Sequence, residues 1–132
     1  MSSLDELKGL IRLHVATQSV NQQEFLAVLD DVQHEPGAGE GSWVGEWCRL
    51  GERLVARGEL IEAVQAFNFA RFPCVDGPER QAALERCLAV FESFRERECP
   101  DARRIEVDCG GVKVPLYVRG EPGPGVPLVV VM

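Results

Sequence analysis

Hydrophobic residues spaced three and four positions apart recur from Leu4 to Phe94 and indicate amphipathic helices. They predict five helices, at about residues 4–17, 22–33, 43–57, 59–71 and 77–98. Proline and glycine separate the later segments, as at Gly58, Pro73 and Pro100. The pattern therefore predicts a helical domain over residues 1–100.

Polar residues stand where the predicted helices begin. Three pairs have the spacing of a capping box: Ser3 with Glu6, Asn21 with Glu24, and Asp76 with Glu79. Val20 and Phe25 have the positions of a hydrophobic staple around Asn21, and Ser42 is placed to cap the third helix. Gly58 lies where a left-handed residue ends that helix.

After Pro100 the period changes from helical to two. Apolar Ile105, Val107 and Cys109 alternate with charged residues, and Gly110–Gly111 is a typical hairpin turn. Strands are expected at about 104–109 and 112–119. The apolar run 127–132 predicts a third strand, one that is buried on both faces. We therefore expect 101–132 to be the first, incomplete part of a larger sheet.

The net charge of -7 and pI of about 4.8 argue against nucleic acid as a partner, because phosphate binding needs a basic surface. No apolar run has the length of a membrane helix. The polar N-terminus does not resemble a signal peptide. A cytoplasmic protein that binds neither nucleic acid nor membrane is expected.

No metal or cofactor is predicted. The five cysteines are irregularly spaced and form no CxxC pair, which argues against zinc. His14 lies on the apolar side of the first helix, as a core or interface residue. His34 and Asp30 are one turn apart at the end of the second helix, where solvated charge is favoured over a metal. The glycine-rich segment 35–42 is expected to be a flexible linker, because it lacks phosphate-loop spacing.

The chain contains no recognisable catalytic centre. None of its five serines has the GxSxG context of a nucleophile elbow. Cys74, next to Pro73, is the most plausible exposed thiol, but no histidine is near it in sequence. The segment alone is expected to be inactive.

An aromatic cluster offers the best candidate pocket residues, with one cation beside it. The candidates are Trp43, Trp47, Phe67, Phe69, Arg71 and Phe72. One interpretation places the rings in the core of a helix pair, and the other places some of them in a substrate pocket. Phe67 and Phe69 cannot face the same way on one helix, so one of them, or Phe72, is expected to face a pocket or partner.

Part of this region resembles a single tetratricopeptide repeat. The matching residues are Trp47, Leu50, Gly51, Gly58, Ala63, Phe67 and Ala70. Leu54 replaces a tyrosine of the pattern, and Pro73 comes two places early. Only one copy is present, so a packed antiparallel helix pair is the favoured interpretation. The alternative is a non-enzymatic module that binds a protein partner through the Trp47–Phe67 pair.

A second resemblance covers nearly the whole chain. Its stretches are ARGELIEAVQAFNFARFP (56–73), DGPERQAALERCLAVF (76–91) and IEVDCGGVKVPLYVRGEPGPGVPLVVVM (105–132). The order of helices, hairpin, Pro/Gly loop and apolar strand resembles the N-terminal part of α/β-hydrolases that carry a helical domain, such as the dihydropseudooxynicotine hydrolase and FrsA-like esterase group.

The resemblance implies an enzyme in which a serine attacks an acyl carbon, with catalytic residues beyond this chain. The helices would shape the pocket for an acyl, ester or C–C substrate and contribute to domain or dimer contacts. Val131 and Met132 would approach a glycine-rich oxyanion turn. Lyase or cyclase chemistry in a biosynthetic pathway is also compatible with this fold.

Overall fold

The computed structural model describes residues 3–121, 123–127 and 129. In this part of the chain five helices precede an antiparallel hairpin: α1 (Leu4–Thr17), α2 (Gln22–Asp31), α3 (Trp43–Ala56), α4 (Leu60–Ala70), α5 (Pro78–Glu98), β1 (Arg103–Cys109) and β2 (Val112–Val118). The predicted mostly helical fold with a C-terminal β portion is confirmed. The third predicted strand, at 127–132, falls mainly on residues outside the described part, as do Val131 and Met132.

The chain divides into two compact units between Phe94 and Arg95, inside α5. In the second unit, the Arg95 guanidinium donates a hydrogen bond to the Ala102 carbonyl at 2.9 Å, which ties the last turns of α5 to the segment before β1. The division therefore falls about one and a half turns before the predicted boundary at residue 100. No helix in the described part of the chain is long and apolar enough to cross a membrane.

Helix α4 is the centre of the first unit, because it is buried on two sides. Phe67 packs on α3, while the Phe69 ring meets Phe25 of α2 and Trp47 of α3 at centroid distances of 6.1 and 5.1 Å. Both rings are almost fully buried. Burial of a phenylalanine side chain contributes about 1.5–3 kcal/mol, so these two rings are major contributors to the core.

Helices α3 and α4 form the closely packed antiparallel pair that the sequence predicts. A Cβ atom added to Gly51 would lie 2.7 Å from the Phe67 ring, so only glycine permits this approach. At the turn, Gly58 has a φ of +78°. Its N–H donates to the Val55 carbonyl and that of Glu59 donates to the Leu54 carbonyl. This is a Schellman motif, and it reverses the chain within three residues.

The predicted helix caps are confirmed in part. Ser3 and Glu6 form a reciprocal capping box, and the Ser42 side chain accepts the Gly45 N–H. Asn21 accepts the Glu24 N–H, but the Glu24 carboxylate binds Arg57 instead of closing a box.

The predicted cap at Asp76 is wrong. The helix begins one residue later, at Pro78, and the Gly77 carbonyl accepts the first helical N–H, from Gln81. The Asp76 carboxylate binds the guanidinium of Arg80 instead. Pro78 occupies the first helical position, where its missing N–H costs nothing.

The hairpin has the predicted turn and an exposed apolar face. Gly110 and Gly111 have φ values of +68° and +87°, which a two-residue type I′ turn requires. The cross-strand pairs on the apolar face are Ile105–Leu116, Val107–Val114 and Cys109–Val112. Val112 is 64% exposed and Leu116 44%. A two-stranded sheet is only marginally stable by itself, so the exposed apolar face of the hairpin needs a covering layer.

Candidate functional site

A groove of about 520 Å³ lies in the first unit at the start of α5. The glycine-rich segment and the first turn of α3 form its other walls. It is lined by Glu35, Pro36, Gly37, Val44, Asp76, Gly77, Glu79 and Arg80. A second hollow of about 380 Å³ shares Val44 and Glu79 with it and continues along α5 past Ala82, Ala83 and Arg86.

The groove contains an almost fully buried cation. The Arg80 side chain is only 7% exposed. One terminal nitrogen, Nη1, donates to both oxygens of Asp76 at 2.8 and 2.9 Å, and Nη2 donates to Glu35 at 2.7 Å. The third nitrogen, Nε, is buried, and its N–H has no acceptor among the described residues. Arg80 thus ties α5 to the glycine-rich segment.

Arg80 and Asp76 stabilise each other's ionised forms. Burial opposes the charge of Arg80, but the hydrogen bonds that Arg80 donates to Glu35 and Asp76 outweigh it and raise the pKa of Arg80 above its ordinary value. The hydrogen bond from Arg80 lowers the pKa of Asp76. Asp76 is nevertheless 58% exposed, so it is the accessible member of the group.

The glycine-rich segment is a closed loop, and its predicted role as a flexible linker is wrong. Its ends meet, because the Trp43 N–H donates to the His34 carbonyl at 2.9 Å. The nearly buried Glu46 carboxylate accepts the Gly41 N–H at 2.6 Å. Gly45 leaves room for the loop, since a Cβ atom there would collide with the Gly39 carbonyl oxygen. These contacts are typical of a compact Ω-loop rather than a linker.

Four of the six predicted pocket residues lie in the core. Trp43, Trp47, Phe67 and Phe69 are at most 2% exposed. The Trp43 indole N–H donates to the Phe69 carbonyl at 2.8 Å, which joins the start of α3 to the end of α4. The core interpretation therefore accounts for these rings.

The other two candidates, Arg71 and Phe72, retain exposed surface at the end of α4. Arg71 donates to the Asn68 side chain at 2.8 Å. The Phe72 ring lies edge-on to the His14 ring at a centroid distance of 6.0 Å. His14 itself is exposed, so its expected place in the core is wrong, whereas a place at an interface stays a prediction.

Other predicted chemical groups are spread over the first unit. His34 lies beyond the end of α2, and its Nδ1 is 3.0 Å from the Pro36 carbonyl oxygen. No group of three or more His, Cys, Asp or Glu residues suited to a metal occurs among the described residues. Burial raises the pKa of Cys48 to about 11 and also raises that of Cys87, which disfavours their thiolates. Cys74 is exposed, as expected.

Solved structures that are similar to this chain include two that carry the name AbyA5. "AbyA5 Wildtype" superposes with a TM-score of 0.75 at 36% identity over 88% of this chain and 32% of that protein. A second structure, "AbyA5", has a TM-score of 0.56 and 42% identity over 61% of this chain and 24% of that one. The chain thus spans about a third or less of the proteins it matches.

These likenesses show that the chain shares its fold, and more than a third of the aligned residues, with a longer protein. No protein-family model matches the chain. A search of characterised proteins also finds no match.

Sequence reasoning missed the Arg80 site. Its partner Glu35 is 45 residues away, and a long-range ion pair produces no local pattern. One signal was available: Arg80 lies in the first turn of α5, where the helix dipole disfavours a cation. A cation at that position indicates a nearby carboxylate that compensates for it.

Proposed function

We propose that this chain is the N-terminal part of an α/β-hydrolase-superfamily enzyme that acts on an acyl, ester or C–C substrate. The observation that carries the proposal is the exposed apolar face of the hairpin, with its three cross-strand apolar pairs. A sheet face of this kind is normally covered by a second layer. The sequence resemblance supplies the identity of that layer, and the likeness to a protein about three times as long supports it.

In this proposal the catalytic serine, histidine and acid belong to the remainder of the hydrolase domain. The helical unit shapes the substrate pocket. Arg71 and Phe72 are the preferred contact residues, because they alone of the six candidates retain exposed surface. The guanidinium of Arg71 suits a substrate carboxylate or carbonyl oxygen, and Phe72 suits an apolar group.

The protein is proposed to act in the cytoplasm. A second copy of the chain is proposed as a partner through the helical unit, where Leu10 and Leu13 of α1 are exposed at neighbouring helical positions. No metal or cofactor is required for acyl chemistry by a serine nucleophile.

The test is to label the natural polypeptide with a fluorophosphonate, which reacts with activated serines, and to assay hydrolysis of p-nitrophenyl acetate. Labelling of one serine together with ester hydrolysis is expected. Labelling without hydrolysis would favour the lyase or cyclase alternative. Absence of labelling in a folded natural polypeptide would overturn the proposed serine chemistry.

A further inference from the structure

We propose that the outer face of α1 binds the same face of a second copy of this chain, with the two α1 helices antiparallel about a two-fold axis. The outer face of α1 consists of Glu6, Gly9, Leu10, Leu13 and Thr17. The pairing rests on the second-copy partner proposed above and gives it a surface and a register. It does not depend on the proposed serine chemistry.

The outer face of α1 is apolar at its centre. Leu7, Ile11 and Val15 form the buried side of this helix. Leu10 and Leu13, in contrast, are 42% and 68% exposed. Residues three positions apart are neighbours on a helix, so the two leucines form one patch. An exposed apolar patch of this kind is typical of an interaction surface.

Gly9 leaves a notch beside the two leucines. No atom of the described residues lies within 4 Å of a Cβ atom added there. Four residues at positions i, i+3, i+4 and i+7 of a helix enclose a hole that accepts a side chain from a facing helix. Glu6, Gly9, Leu10 and Leu13 have this spacing. A two-fold axis between residues 11 and 12 places Leu13 of each copy at the hole of the other, so the surface is self-complementary.

The charges of α1 favour a second copy in the antiparallel direction. Although the net charge of the chain is -7, Lys8 and Arg12 balance the two acids of this helix. The acids, Asp5 and Glu6, lie in the first turn, and His14 lies in the last turn. An antiparallel pair brings Glu6 of one copy towards His14 of the other and also opposes the two helix dipoles. A parallel pair would bring like charges together.

The contact area indicates a weak dimer. Helix α1 has 14 residues, which corresponds to a length of about 21 Å. One face of such a helix buries less surface than the roughly 800 Å² per partner of a standard interface. We therefore expect half-association at a chain concentration of about 0.1–1 mM.

The experiment is sedimentation equilibrium of the 132-residue chain carrying Val107→Thr and Val112→Thr, which suppress association through the apolar face of the hairpin. A monomer–dimer equilibrium is expected, and Leu13→Glu should weaken it at least about tenfold, because it places a carboxylate in an apolar contact beside Glu6. Leu88→Glu is the matched control, since Leu88 is 55% exposed on α5 and should leave the dissociation constant unchanged.

Substitutions of His14 test the direction of the helices. His14 is exposed, so neither new side chain enters the core. His14→Glu should weaken the dimer about two- to fivefold, the effect of one exposed ion pair, whereas His14→Lys should not weaken it. Urea titrations of each variant confirm that it is folded. The opposite order of the two variants would overturn the antiparallel arrangement.

The outcomes separate this pairing from the rest of the proposed function. A monomer at all concentrations would overturn both the α1 pairing and the second-copy partner. A dimer that Leu13→Glu leaves unchanged would overturn the α1 pairing alone. Neither result affects the labelling of an activated serine in the natural polypeptide, which reports on the proposed chemistry.

Discussion

Gly51 lies beneath the Phe67 ring, and this contact sets the distance between α3 and α4. Replacing it with alanine would place a methyl group 2.7–2.9 Å from three ring atoms. Overpacking of this kind costs about 1–3 kcal/mol, more than the helix propensity that alanine adds. We expect Gly51→Ala to lower the free energy of unfolding by about that amount in urea titrations.

Gly9 provides the matched control for this substitution. It lies within α1, and no atom is within 4 Å of an added Cβ. Gly9→Ala should therefore raise the free energy of unfolding by about 0.5–1 kcal/mol. Equal effects of the two substitutions would contradict the proposed close approach of the helices.

Asp76 makes the free energy of unfolding depend on pH at values below the usual pKa of an aspartate. Its pKa is lowered by Arg80 in the folded state, so its contribution is fully present above about pH 4 and is lost as the pH falls through the lowered pKa. The melting temperatures of the parent chain and Asp76→Asn should differ at pH 7 and converge near pH 2. A difference that persists unchanged at pH 2 would show that the charge of Asp76 is not the cause.

At the scale of elements, the glycine-rich loop is held by one buried carboxylate. Glu46 is only 6% exposed and accepts the Gly41 N–H, and it also binds Arg49. Glu46→Ala should destabilise the unit by about 1–3 kcal/mol and accelerate amide exchange at Gly41. Glu52→Ala on the same helix is the control, because its bond to Arg86 is exposed. If exchange at Gly41 is unchanged, the loop does not depend on Glu46.

The helices and the hairpin could be predicted because their signals are local. The Ser3–Glu6 box and the Gly110–Gly111 turn each lie within a few residues, and alternation predicts strand faces. Periodicity cannot decide between a core and a pocket for Trp43 or Phe67, since both interpretations need an apolar face. It also cannot reveal that the segment from 35 to 42 closes on itself, because Glu46 reaches it only through tertiary contacts.

For the molecule as a whole, the hairpin face should make the 132-residue chain self-associate. Open strands with exposed apolar residues pair readily with other chains. Sedimentation velocity is expected to show concentration-dependent association that is reduced by Val107→Thr with Val112→Thr, two changes on the apolar face. Val126→Thr, at an exposed valine outside the hairpin, is the control. A monomer at all concentrations would favour a self-sufficient module.

We propose that the helical unit and the hairpin precede the main β-sheet of a hydrolase domain in the natural polypeptide. The most direct measurement is the natural coding sequence after the codon for Met132. We predict a glycine-rich turn directly after this codon and, further on, a GxSxG motif that follows a strand and precedes a helix. A stop codon at that point, or a continuation with neither motif, would contradict the claim.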